Sequence, residues 1–229
     1  MMNVLERSVI LLTAAVSILV LYLSPQYVMY VLGIHLVLIS ALWVYKSVSE
    51  LGWDNVRGQF YAVMSLAFLL QGLGFLLTGY GRTLVLPFLG LLLYTLARFF
   101  FFIANVRYIA HFQSLGYRLN LLRGMVVLAL TVLLLGITAL IPNVVSIFRT
   151  LSPYILFILL DVGMAFIIFY NLLLLWGSDI ARRWAMGSVA IGTYLLADAL
   201  FIAGVSPFFT VALWILASTV MGLIATIRG

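Results

Sequence analysis

From Ser8 to Tyr45 the chain carries no Asp, Glu, Lys or Arg, and comparable uncharged apolar runs return along its whole length. An α-helix needs ~17–25 such residues to cross the ~30 Å hydrocarbon core of a bilayer. Backbone N–H and C=O groups find no water at that depth, so each run must satisfy its own, as a helix does. Only 8% of the 229 residues are charged and 66% are hydrophobic, whereas soluble domains carry about 25% charged residues. The polar stretches between runs are too short to hold a soluble domain. The expected fold is all-α and integral to the membrane.

On the length criterion, eight transmembrane helices are predicted, at about 8–23, 26–45, 60–79, 84–106, 122–141, 153–175, 184–204 and 207–226, in one domain over 1–229. Short links at Ser24-Pro25, Tyr80 to Thr83 and Val205-Ser206 predict tight hairpins on one face. The other links hold most of the charge: Arg7, Lys46, Arg57, Arg107, Arg118, Arg123, Arg182, Arg183 and Arg228 share one face, against Arg82 and Arg149 on the other. Basic loops stay in the cytoplasm, so a cell-membrane protein with both termini cytoplasmic is expected. This distribution explains the net charge of +6 without nucleic acid as a partner, since no basic patch forms on a soluble face. Pro142 to Pro153 alternates Val144, Val145, Ile147, Phe148 and Leu151 with polar residues and is expected to lie flat in the interface. No small-residue cleavage site follows Leu23 and Ser24, so the first run is expected to be a retained helix.

An internal repeat organises these spans. At an offset of 125, Gly52, Asp54 and Arg57 fall on Gly177, Asp179 and Arg182; at 126, Phe68, Leu69, Leu70 and Phe75 fall on Tyr194, Leu195, Leu196 and Phe201. At 120, Pro87, Phe88, Leu93, Tyr94, Leu96 and Ala97 fall on Pro207, Phe208, Leu213, Trp214, Leu216 and Ala217, and at 128 Ser24-Pro25 falls on Ser152-Pro153. Leucine matches arise easily in such a chain; ordered Pro, Gly, Asp and Arg matches do not. The expectation is two parallel four-helix repeats, about 1–110 and 118–229, related by an axis along the membrane normal, because an even number of spans inserts both halves the same way round.

The repeat exposes its own departures. Asp198 falls opposite Gly72, Arg98 opposite Ser218, and Asp161 within a turn of the position matching His35. The embedded polar groups are His35, Gln71 and Arg98 in the first half, and Asp161 and Asp198 in the second. An ionisable group in hydrocarbon costs at least a few kcal/mol unless paired, hydrated or neutralised, and here a cationic half faces an anionic one. At ~1.5 Å per residue, His35 and Gln71 come near the midplane, the two aspartates several Å to the outer side and Arg98 several Å to the inner side. Helical spacing aligns Tyr94, Arg98 and Asn105 on one face, Tyr154 and Asp161 on another, and Gly187, Tyr194 and Asp198 on a third. Ser188 and Gly192 offer a small surface for close helix packing. The candidate site is therefore Asp198 and Asp161 as catalytic carboxylates, with His35, Gln71, Tyr94, Arg98 and Tyr194 binding substrate. Two other readings compete: a pairing that only locks the halves together, and Arg98 reaching the interface while Asp198 stays protonated.

Several chemistries are excluded or unsupported. The absence of cysteine removes disulfides, iron–sulfur clusters and thiolate nucleophiles. The single lysine, Lys46, falls at a helix end, which removes a buried Schiff base. His35 and His111 lie at different levels and cannot share a haem, and no His-x-x-x-His, His-Glu-x-x-His or Gly-x-Ser-x-Gly spacing occurs. Neither a metal nor a cofactor is expected. Phe99 to Phe102 cannot share one face, and are expected to meet lipid and neighbouring helices.

Gly192 to Ala203 resembles a helix of the lysoplasmalogenase (YhhN-type) membrane hydrolases, with Ala197-Asp198 standing for a Ser-Asp pair. Leu96-Ala97-Arg98-Phe99-Phe100-Phe101 resembles that family's fourth helix with arginine for histidine, and Leu69-Leu70-Gln71-Gly72-Leu73 its third helix without the acidic residue. The resemblance spans three helices and implies an eight-helix fold and cleavage of the vinyl-ether bond of lysoplasmalogens by membrane carboxylates. Asp198 carries over, and Asp161 offers a second carboxylate from another helix. Three readings follow: a divergent lipid-directed hydrolase, a small-solute or proton-coupled transporter or translocation component, and a non-catalytic subunit or sensor with a partner subunit. Membrane lipids, and a lipid or small-molecule ligand, are the other expected partners.

Overall fold

The computed structural model describes residues 2–80, 85–139, 146 and 154–226. Those residues form eight helices and no strand: α1 (Met2–Leu23), α2 (Val28–Lys46), α3 (Val56–Tyr80), α4 (Val85–Ser114), α5 (Leu121–Ala139), α6 (Tyr154–Leu174), α7 (Asp179–Ile202) and α8 (Pro207–Ala225). Six stretches are long and apolar enough to cross a membrane: Val4–Leu23, Pro25–Leu51, Val56–Gly79, Phe88–Ser114, Ala185–Ile202 and Pro207–Ala225. Shorter apolar segments come from α5 (Leu121–Leu133) and α6 (Ile158–Leu174). The molecule is thus an all-helical, multi-pass membrane protein.

Several helices outrun the apolar runs that announced them. α3 starts at Val56, α4 continues to Ser114 and α7 begins at Asp179. Hydropathy marks the part of a helix that meets hydrocarbon, whereas hydrogen bonding carries the same helix on into the polar interface. Ser24 ends α1, and a 3₁₀ turn at Pro25–Tyr27 leads straight into α2, as the tight link requires. Gly81 to Thr83 in the third link, most of Pro142 to Pro153, and Arg82, Arg149 and Arg228 lie outside the described residues.

Side-chain bonds gather both ends of the chain at one face. Arg7 Nε donates to Thr226 Oγ1 (3.1 Å), and Lys46 Nζ, at the end of α2, pairs with Glu6 (3.2 Å) and Glu50 (2.6 Å). Arg107 donates to Gln59 (3.0 Å), Gln113 to the hydroxyl of Tyr170 (2.6 Å) and Arg123 to the carbonyl of Leu173 (3.1 Å). We call this the terminal face. α3 and α7 run away from it; α4, α6 and α8 run back toward it.

The helices α1, α2, α3, α4, α6, α7 and α8 pack in that cyclic order, α8 closing on both α1 and α2, while α5 lies outside against α6. Lipid offers no hydrophobic drive between helices, so close packing and polar bonds must hold them. α2 and α3 show both devices. Leu32, Leu36, Ile39 and Trp43 form a buried stripe against Met64, Ala67, Phe68 and Phe75. Between them Ser40 Oγ donates to Ser65 O (2.8 Å) and Ser65 Oγ to Ser40 O (3.0 Å). Leu11, Leu12, Ile18 and Leu19 of α1 point outward, where a bilayer solvates them.

Candidate functional site

The bundle centre holds Arg98, on α4 and 2% exposed, surrounded by groups from three other helices. Its Nε donates to Asp161 Oδ1 of α6 (2.9 Å) and to Asp198 Oδ2 of α7 (3.1 Å), and its Nη2 also donates to Asp198 Oδ2. Nη1 donates to Gln71 Oε1 of α3 (2.6 Å). The planar fork of the guanidinium suits this arrangement, since one cation presents several fixed N–H donors at once. The ring of Tyr194 lies 4.5 Å from Cζ, a cation–π contact, and Phe101 lies at 5.8 Å.

Side-chain direction explains how Arg98 reaches acids that depth counting places further from the terminal face. A helical side chain leans toward the N-terminus of its helix, and the N-terminus of α4 lies at the opposite face. Asp198 has a further partner that sequence reading missed: Trp214 Nε1 of α8 donates to its Oδ1 (2.8 Å). Trp214 was legible only as the repeat partner of Tyr94; nothing in the order of residues aims its N–H at Asp198. Asp161 is less enclosed, its side chain 13% exposed against 1% for Asp198.

Five of the seven predicted site residues thus meet: Gln71, Arg98, Asp161, Tyr194 and Asp198. Tyr94 stands one turn from Arg98, its hydroxyl 3.1 Å from Thr78 Oγ1 and its ring against Phe75. His35 belongs to a different interface. Fully buried, it contacts Thr13 Oγ1 of α1 through Nδ1 (2.8 Å) and Thr219 Oγ1 of α8 through Nε2 (3.4 Å). Its described bonds therefore tie α1, α2 and α8 together. The packing role expected of Gly192 is corrected as well: it is exposed, with open space where a side chain would go. Phe99 faces outward while Phe101 is buried, as four consecutive helical positions require.

The chemistry open to the cluster is narrow. Both carboxylates are engaged by one guanidinium, and among the described residues no three His, Asp or Glu side chains converge on a point. The cavity bordering Arg98 measures about 20 Å³ and is lined otherwise by Phe68, Phe101, Met164, Ile191, Tyr194, Leu195 and Met221. Ligand pockets for drug-sized molecules run to ~300–1,000 Å³; this one has room for water. Comparison with protein-family models, with curated proteins and with solved structures found no match.

Proposed function

We propose that this protein is a proton-coupled transport or translocation component, built from two four-span halves, with the Arg98 cluster as its proton site. The observation that carries this reading is the charge balance at the interface. One guanidinium faces two carboxylates, buried together, so the cluster is neutral only when it holds one proton. Taking net charge into a low-dielectric interior is costly, and embedded ionisable groups of this kind mark proton and ion pathways in membrane proteins.

Three features support the two-halves architecture. Gly52 and Gly177, matched at an offset of 125, both adopt positive φ (74° and 91°) where one helix ends before the next. Phe75 packs on Tyr94 at 4.9 Å, and their repeat partners Phe201 and Trp214 pack on each other at 5.7 Å. α4 packs on α6 as α8 packs on α2, the exchange a pseudo-twofold axis demands. With eight spans and the basic residues concentrated on the terminal face, both termini are read as cytoplasmic.

A lipid-directed hydrolase needs space for its substrate beside Asp161 and Asp198; the cavity of about 20 Å³ that borders Arg98 is lined by neither carboxylate, and the charge balance of the cluster favours the proton-site reading. The test uses liposomes loaded with a pH-sensitive dye and containing the purified protein. Amino acids, sugars and organic anions are applied in turn. At least one solute is expected to drive a pH change that Asp198→Asn abolishes; no solute-driven change, or an unaltered one in the variant, refutes the proposal.

A further inference from the structure

The two sides of the cluster differ. Away from the terminal face it is closed by rings: Phe75 lies 4.9 Å from Tyr94 and 5.0 Å from Trp214, which lies 5.7 Å from Phe201. Toward the terminal face lies the cavity of about 20 Å³ under Arg98, above the ~10–15 Å³ that one water molecule requires. Tyr194, which lines the cavity, is buried with its ring against Arg98.

Beyond the cavity come two amides that helix packing has left short of partners. Asn105 lies two turns from Arg98 along α4, and Asn171 two turns from the cavity-lining Met164 along α6; they are 0% and 1% exposed. Asn105 Nδ2 donates to Phe101 O (2.8 Å), but among the described residues its Oδ1 has no partner, and Asn171 has none at either Nδ2 or Oδ1. Buried polar groups in native proteins are bonded to protein or to ordered water, and a buried water typically makes about three such bonds. Nearer the terminal face, Tyr108, Phe112, Leu174 and Leu175 form a small buried cluster of their own, an apolar cap that water has to pass to reach the amides.

We infer that water enters from the terminal face and hydrates a path between α4 and α6, past Asn171 and Asn105 to the cavity beneath Arg98 and Tyr194, so that the cluster exchanges protons with that face alone. The direction of proton exchange rests on the proton-coupled reading; the hydration of the path does not.

The native chain tests hydration directly. Hydroxyl-radical labelling oxidises methionines that touch water, and Met164 and Met221 line the cavity, whereas Met64, 0% exposed, does not. In reconstituted protein, Met164 and Met221 are expected to label at least ~5-fold faster than Met64; equal rates overturn the inference. Sidedness is read in a chain with no cysteine of its own. Asn171→Cys and Asn105→Cys, each with a Ser114→Cys control, are exposed to silver ion from either side of sealed vesicles and then counter-labelled with a maleimide. Protection of both path cysteines from the Ser114 side only is the expected result, with Phe75→Cys unprotected from either side. Protection from the opposite side, or inert path cysteines beside a reactive Ser114→Cys, overturns it. A labelled path in a protein without solute-driven proton flux leaves hydration standing and removes the transport reading. Flux with a dry path does the reverse.

Discussion

Two helix crossings in this molecule solve the same packing problem in opposite ways. α2 and α3 cross through Gly33 and Gly72: a Cβ on Gly33 would sit 2.8 Å from the carbonyl oxygen of Gly72, and one on Gly72 would sit 2.8 Å from that of Gly33. α6 and α7 face each other with Asp161 and Asp198, and the space between is bridged by Arg98 reaching across from α4. At the offsets of the proposed repeat, Gly33 falls on Asp161 and Gly72 on Asp198. α2 and α3 have closed their crossing by backbone contact, which needs no charge and no third helix. α6 and α7 instead take a cation between their carboxylates, and so depend on α4 to offset one of the two negative charges. A contact made of small residues is mechanically simple; one made of shared charge can change when a proton arrives or leaves.

The sharpest way to break this contrast is Arg98→Ala. It strands two buried carboxylates, and removing one partner of a buried ion pair costs about 3–5 kcal/mol. A large loss of thermal stability in detergent is the expected outcome, and a variant as stable as wild type would show that the bridge holds nothing. Next in size is Gly72→Leu, which drives a side chain into Gly33 and Val37. Overpacking of this kind costs about 1–3 kcal/mol, so chemical denaturation should find this variant destabilised but well above Arg98→Ala. Trp214→Phe keeps an aromatic ring, drops the pyrrole part of the indole and removes the bond to Asp198; polar contacts between membrane helices average about 0.6 kcal/mol and reach about 1.7. Its loss should be small in stability yet visible in Asp198-dependent flux, and a functionally silent variant would place Trp214 outside the site. At the low end, Gly192→Leu adds a side chain where nothing stands, and a stability change within about 0.5 kcal/mol is expected in the same assay. A drop comparable to that of Gly72→Leu would reveal a partner on that face.

How far these features could be read in the sequence varies with their range. Asp198 and Arg98 were legible because each is a charge in an apolar run, and because the proposed repeat would line each against an uncharged residue. That they meet was one expectation among others, since Arg98 could also have reached the interface with Asp198 protonated; the structure pairs them. The remaining partners were not legible. His35 has the same embedded, polar character as Gln71, yet α2 turns it toward Thr13 and Thr219 while α3 turns Gln71 toward Arg98. Gly192 and Gly33 are equally small, but only Gly33 meets another helix.

The amino-acid order alone settled that this chain lives in a bilayer as helices, since the cost of exposing apolar side chains to water and unpaired backbone groups to lipid is paid residue by residue. It also named the charges that had to be neutralised. Which groups neutralise them depends on the rotation and tilt of every helix around the ring, and those are fixed by contacts between residues a hundred or more positions apart, as between Arg98 and Asp198 or Arg7 and Thr226. The unpartnered amides of Asn105 and Asn171, the cavity under Arg98 and the aromatic layer on its far side arise at that level as well. No local pattern encodes them, because each is the space or contact that remains once several helices have packed together.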